Sequence, residues 1–159
     1  MTAGGNHSLA VTESGALYSW GRGGQGQLGH GDEQHQHLPK RVEALQERVC
    51  SVAAGDTHSL AVTASGVIYS WGGGSYGKLG HGDYKNQLRP KRVEALQERV
   101  CSVAACGAHS LAVVEKGALY SWGKGAEVVG GVLERRRAFT SYSQGLGARC
   151  HALGLGRPG

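Results

Sequence analysis

PKRVEALQERVCSVAA runs from Pro39 to Ala54 and recurs, letter for letter, from Pro90 to Ala105, a step of 90 − 39 = 51 residues. The step holds elsewhere. HSLAV begins at His7, His58 and His109, YSWG at Tyr18, Tyr69 and Tyr120, and LGHGD at Leu28 and Leu79. A fixed period of this size marks an array of supersecondary units, none of which buries its own apolar faces without a neighbour.

Within one unit, Val49 to Gly55, His58 to Thr63 and Val67 to Gly72 are short runs of β-branched, aromatic and small residues bounded by Gly, Asp, Ser and Thr, and they read as strands. Ala64-Ser65-Gly66 between the last two is a tight connection whose Gly takes φ > 0 without a Cβ clash, which predicts a hairpin. Pro90 to Leu96 supplies a fourth strand, with Pro at its first position, where a missing N–H harms no ladder. Cys50, Val52 and Ala54 alternate with Val49, Ser51 and Ala53, so both faces are small or apolar and such strands are covered on two sides. Four short antiparallel strands of this kind describe a propeller blade. The competing reading is a helix over Arg92 to Val100, which carries apolar residues at Val93, Leu96 and Val100; nine residues make a marginal helix, and one helical turn between blades fits there.

The expected fold is therefore all-β: a partial, open β-propeller over residues 1–125, with blades at about 1–45, 49–96 and 100–123, and an irregular tail over 126–159. One blade is complete and two are incomplete. The first lacks its opening strand, because Met1 sits just before His7, and the third stops after YSWG. Such an arc leaves blade faces uncovered, to be closed by further repeats in cis or by self-association. The chain is then a piece of a longer protein, a subunit of an assembly, or the product of a truncated reading frame.

Net charge is +5 in 159 residues, but residues 1–125 hold 12 Lys and Arg against 10 Asp and Glu, and the tail holds five Arg against two Glu. A nearly neutral propeller offers no basic groove for nucleic acid or chromatin. Arg135-Arg136-Arg137 reads as a solvated tail or a stretch from the wrong reading frame rather than a nuclear-import or phosphate-contacting patch. No apolar run has the length of a membrane span and no signal peptide opens the chain, so the expected location is cytoplasmic or nuclear. Of four Cys, Cys50 and Cys101 suit small buried hydrophobes, without disulfides. Cys106 replaces the Gly that Gly4 and Gly55 provide, which predicts a locally rearranged third turn.

Two segments, Gly21-x-Gly23-x-x-Gly26 and Gly72-x-Gly74-x-x-Gly77, match a dinucleotide-loop spacing, but LGHGD follows where a helix is needed, so these are turn glycines and no cofactor is implied. His7, His58, His109, His30 and His81 recur with the repeat, which points to hydrogen bonds that fasten turns to strands. His35-x-His37 lacks a third metal ligand, and no catalytic Ser/His/Asp or Cys/His set is present. Trp20, Trp71 and Trp122, each followed by Gly21, Gly72 or Gly123, occupy one equivalent place and pack between blades.

YSWGxGxxGxLGHGD, then Pro-Lys-Arg-Val, then VAAGxxHSLAVT, resembles the repeat of the regulator of chromosome condensation family over residues 3 to 125. The resemblance implies blades of about fifty residues in a seven-bladed propeller. It further implies a non-catalytic module that binds protein partners through rim turns: Asn6 and His7, Asp56, Thr57 and His58, Ala108 and His109. Two alternatives come with it: guanine nucleotide exchange on a Ran-type small GTPase, with Asp56 and His58 facing the GTPase and His7 and His109 as partial matches, and substrate recognition within a HECT-type ubiquitin ligase. The family's ultraviolet-B photoreceptor carries Trp and Arg in its turns. Gly5-Asn6, Asp56-Thr57 and Gly107-Ala108 stand there instead, so photoreception is not expected.

Overall fold

A computed structural model describes residues 1–124, all in β-strands, turns and one 3-10 turn. The strands are β1 (Thr2–Ala3), β2 (His7–Val11), β3 (Leu17–Gly21), β4 (Gln36–Arg41), β5 (Val49–Ala54), β6 (His58–Thr63), β7 (Ile68–Gly72), β8 (Gln87–Arg92), β9 (Val100–Ala105), β10 (His109–Val114) and β11 (Leu119–Gly123). They form three antiparallel meanders, β1-β2-β3-β4, β5-β6-β7-β8 and β9-β10-β11. The second sheet stacks between the other two, with the opening strands β1, β5 and β9 crowding together. The result is an open arc of propeller blades. The tail at 126–159, with its Arg135–Arg137 run, lies outside the described residues.

Alternation along each strand decides which joint a side chain enters. On β6, Leu60 and Val62 face the third sheet, in a core with Ile68, Val93, Val100, Val103, Ala112 and Trp122. Ala61 faces the first sheet, in a second core with Leu9, Leu17, Val42, Val49 and Trp71. Every residue of β6 is buried, whereas β2 and β10 are fully buried only at alternate positions, since each has a neighbouring sheet on one side alone. The cores lie between sheets rather than within any one of them. A fully buried Leu such as Leu60 contributes about 2 kcal/mol through its transfer from water.

The hairpins form as expected, with Gly15, Gly66 and Gly117 at φ of 87°, 83° and 77°. Three details differ from the sequence reading: the opening strand of the first sheet, the bounds of the fourth strand, and the facing of two cysteines. The first sheet does carry an opening strand, reduced to Thr2–Ala3, whose partners are Leu9 and Ser8. The outer strand of the second sheet is Gln87–Arg92, so Pro90 lies inside it, at a register shift opposite Ser70 to Gly72. An edge strand tolerates Pro there, because the shift interrupts the ladder anyway. Beyond it, Val93 to Leu96 forms a single turn closed by Leu96 N–H to Val93 O (3.3 Å), and the alternative helix over Arg92–Val100 is absent. Finally, Cys50 and Cys101 are exposed rather than buried. Register shifts flank both residues, so each thiol turns outward toward the carbonyls of the neighbouring strand: Cys50 to Val62 and Thr63 O (3.4 Å each), Cys101 to Val113 O (3.3 Å).

Candidate functional site: one rim and the joints beneath it

The repeated turns Gly4–Asn6, Gly55–Thr57 and Cys106–Ala108 lie on one rim. Each is closed by the same bond, from the N–H of its first residue to the carbonyl of His7 (2.9 Å), His58 (2.9 Å) or His109 (3.0 Å). The third turn is thus not rearranged, despite Cys106. Gly4 and Gly55 have no positive φ, so the backbone does not require glycine there and Cys106 meets no left-handed strain. The loop after each third strand joins the same rim, through Arg22 N–H to Asn6 O (2.9 Å), Gly73 N–H to Thr57 O (2.8 Å) and Lys124 N–H to Ala108 O (2.9 Å). Gly21, Gly72 and Gly123 turn the chain into those loops at φ of 106°, 99° and 114°.

Asp56 is exposed at the middle of this rim. Its carboxylate lies between neighbouring turns: a β-carbon on Gly5 would stand 2.8 Å from Oδ1 and one on Gly107 2.8 Å from Oδ2. Asn6 Nδ2 donates to the Asp56 carbonyl at 3.3 Å. Behind Thr57, Lys78 is buried and its Nζ donates to Thr57 Oγ1 at 2.8 Å. Burial lowers the Lys78 pKa, and the negative charge of Asp56 opposes that.

Beneath the rim the histidines clasp neighbouring sheets. Ser59 Oγ donates to Gln27 O (2.8 Å), so it accepts from His7 Nε2–H (2.7 Å). One joint further, Ser110 Oγ donates to Lys78 O (2.7 Å) and accepts from His58 Nε2–H (2.9 Å). Trp71 Nε1 also donates to Gln27 O (2.9 Å), so the expected packing of this Trp between blades comes with a hydrogen bond. Trp122 is buried in the second joint, whereas Trp20 is half-buried on the first sheet's outer side. The buried imidazoles of His7 and His58 leave Nδ1 without a protein partner. Desolvation pushes the His7 pKa down to about 4, and desolvation together with the Lys78 charge pushes that of His58 down to about 3. His30 and His81 act within a sheet, each donating Nε2–H to Ser19 or Ser70 (3.0 and 2.9 Å).

The candidate turn residues thus divide. Asn6, Asp56 and His109 are exposed on the rim, and Thr57 and Ala108 are half-buried. His7 and His58 are buried at 4% and 0% exposure, so their imidazoles hold joints and are not open to a partner. Neither glycine-rich segment opens a helix beyond the 3-10 turn Ser75–Gly77. His35 serves as a loop brace, its Nδ1 accepting from Gly23 N–H (3.0 Å), the task that Asn86 Oδ1 performs for Gly74 N–H (3.0 Å) in the next copy. Among the described residues no group of three His, Cys, Asp or Glu is placed to hold a metal.

Sequence reasoning overlooked Tyr76. It stands at φ 63°, a left-handed conformation unusual for a bulky residue, with its ring exposed and Lys124 Nζ 5.2 Å from the centroid. The signal was available: the copies disagree there, with Gln25 in the first and Tyr76 in the second.

A family model described as the regulator of chromosome condensation (RCC1) repeat matches residues 14–62 and 65–113, and a second of the same description matches 49–78. The E3 ubiquitin-protein ligase HERC2 of Homo sapiens is 43% identical over 127 residues, covering 77% of this chain and 3% of that protein. The ultraviolet-B receptor UVR8 of Arabidopsis thaliana is 43% identical over 125 residues, covering 77% of this chain and 28% of that protein. Among solved structures, human WBSCR16 superposes with a TM-score of 0.72 at 29% identity, over 83% of this chain and 37% of that one. Prp20p of Saccharomyces cerevisiae, described with its binding to Gsp1p and histones, superposes with a TM-score of 0.69 at 32% identity, over 77% and 32%. The chain therefore spans a small part of the relatives it matches.

Proposed function

We propose, from the premise that this chain belongs to the regulator of chromosome condensation (RCC1) repeat family, that its arc is a non-catalytic platform whose rim binds a protein partner. The observation that carries the reading is the exposed Asp56 carboxylate, set between the glycine turns of adjacent blades and fixed by sheets whose joints are fully buried. A rigid scaffold that presents a charged group among small, backbone-rich turns suits recognition of a folded surface with a complementary cation. Asn6, Ala108, His109 and the strained Tyr76 extend that contact along the rim. The partner is a ubiquitination substrate, as the likeness to a HERC ligase supports, and the working location is the cytoplasm or the nucleus.

The likeness to Prp20p favours a second reading, in which the same rim faces a Ran-type small GTPase and promotes nucleotide exchange. One experiment separates the two. The chain is assayed for release of labelled GDP from such a GTPase, and, immobilised, for capture of cellular proteins; both are repeated with Asp56→Lys. Loss of capture by at least about tenfold on charge reversal, with unchanged melting, supports the platform. Accelerated GDP release that Asp56→Lys abolishes supports exchange. Asp56→Lys that alters neither measurement removes Asp56 from both.

A further inference from the structure

We propose that Cys106 closes the outer face of the third sheet to a second copy of this chain: no copy seats its first sheet there in the register that joins the three sheets. At each existing joint the sheets meet backbone to backbone at the first residue of the rim turn. A β-carbon on Gly4 would stand 2.0 Å from Gly55 O and 3.0 Å from Gly55 C; one on Gly55 would stand 2.6 Å from Cys106 O. Real β-carbons essentially never approach within 3.0 Å, and a backbone carbonyl cannot move aside without moving its sheet. The close approach, rather than φ, is what demands glycine, and Cys106 supplies a side chain where the next approach would occur.

A second observation agrees. A β-carbon on Gly55 would also stand 2.4 Å from His58 Cε1, so the ring pose that makes the His58–Ser110 clasp is closed to a histidine following Cys106. His109 is exposed, with no sheet packed on it among the described residues, where His7 and His58 are buried. The third sheet thus lacks the gap of a further joint, and Cys106 bars the ring pose that would donate across one. The outer face of the first sheet keeps the accepting half, with Ser8 and Trp20 half-buried at the places of Ser59 and Trp71. The two outer faces of the arc therefore differ in what they accept.

The test moves the obstruction into a joint that exists. Gly4→Cys is compared with Cys106→Gly and the unaltered chain, by thermal melting and by NMR titration of His7. We expect Gly4→Cys to lower the melting midpoint by at least about 5 °C and to release His7 from about 4 toward 6.5 as its clasp opens. Cys106→Gly should leave the midpoint within about 1 °C. A Gly4→Cys chain that melts normally and keeps the depressed His7 titration would show that the joint accepts the side chain, and the proposal fails. The unaltered chain supplies an independent check: the His109 ring should stay accessible to a soluble paramagnetic probe at every concentration, and its protection on self-association overturns the proposal.

Discussion

Acid should open the joints before it titrates the carboxylates, and the size of the effect follows from His7 and His58. In the unfolded chain each imidazole titrates near 6.5; in the folded chain burial holds them down to about 4 and about 3. The folded pKa is depressed, so the unfolded state binds more protons, and stability present above 6.5 is lost as pH falls toward the folded values. At about pH 5 the unfolded state gains a factor of about 30 from each ring, or about 2 kcal/mol each and about 4 kcal/mol together. Domains of this size are stable by about 5–15 kcal/mol, so the loss is a large fraction of the whole. His30 and His81, also depressed by burial, act in the same direction. Urea unfolding followed by Trp fluorescence at about pH 7.5 and pH 5, on the native chain and on His7→Gln/His58→Gln, measures it, since a Gln amide still donates to the serine but does not titrate. Equal stability of the native chain at the two pH values, or an undiminished pH dependence in the double variant, would refute the assignment.

Ser110→Ala leaves the His58 Nε2–H and the Lys78 carbonyl buried without their partner and should destabilise by about 1–3 kcal/mol in the same unfolding assay, whereas Ser8→Ala, outside any joint, should cost less than about 0.5 kcal/mol. Cys50 and Cys101, exposed beside register shifts, should react with a soluble thiol reagent in the folded chain at rates within about tenfold of an unfolded control.

Blade architecture was legible because period, hairpin glycines and strand residues agree with one another, and the interblade role of Trp71 followed from its recurrence. The facing of Cys50 was not, because alternation assumes an unbroken pleat and one extra residue inverts every side chain beyond it. Pro90 misled for a related reason. Proline was given the start of a strand, while the ladder it would have interrupted is already broken by the register shift opposite Trp71. At the candidate site, Asp56 and Asn6 were legible as exposed turn residues, but His7 and His58 in the same turns were not separable from them, since burial of a ring depends on a serine 52 residues away in the next sheet. The glycine at Gly4 and Gly55 looked like a matter of torsion and proved to be one of clearance.

The clasp at each joint runs out and back: the first sheet lends the imidazole, the second interposes a hydroxyl, and the first receives the proton at the Gln27 carbonyl. Like a buckle, it belongs to neither strap. Severing the chain in the linker between β4 and β5 would leave His7 and Gln27 on one piece and Ser59 on the other, so two adjoining repeats are the smallest excerpt that retains a closed circuit.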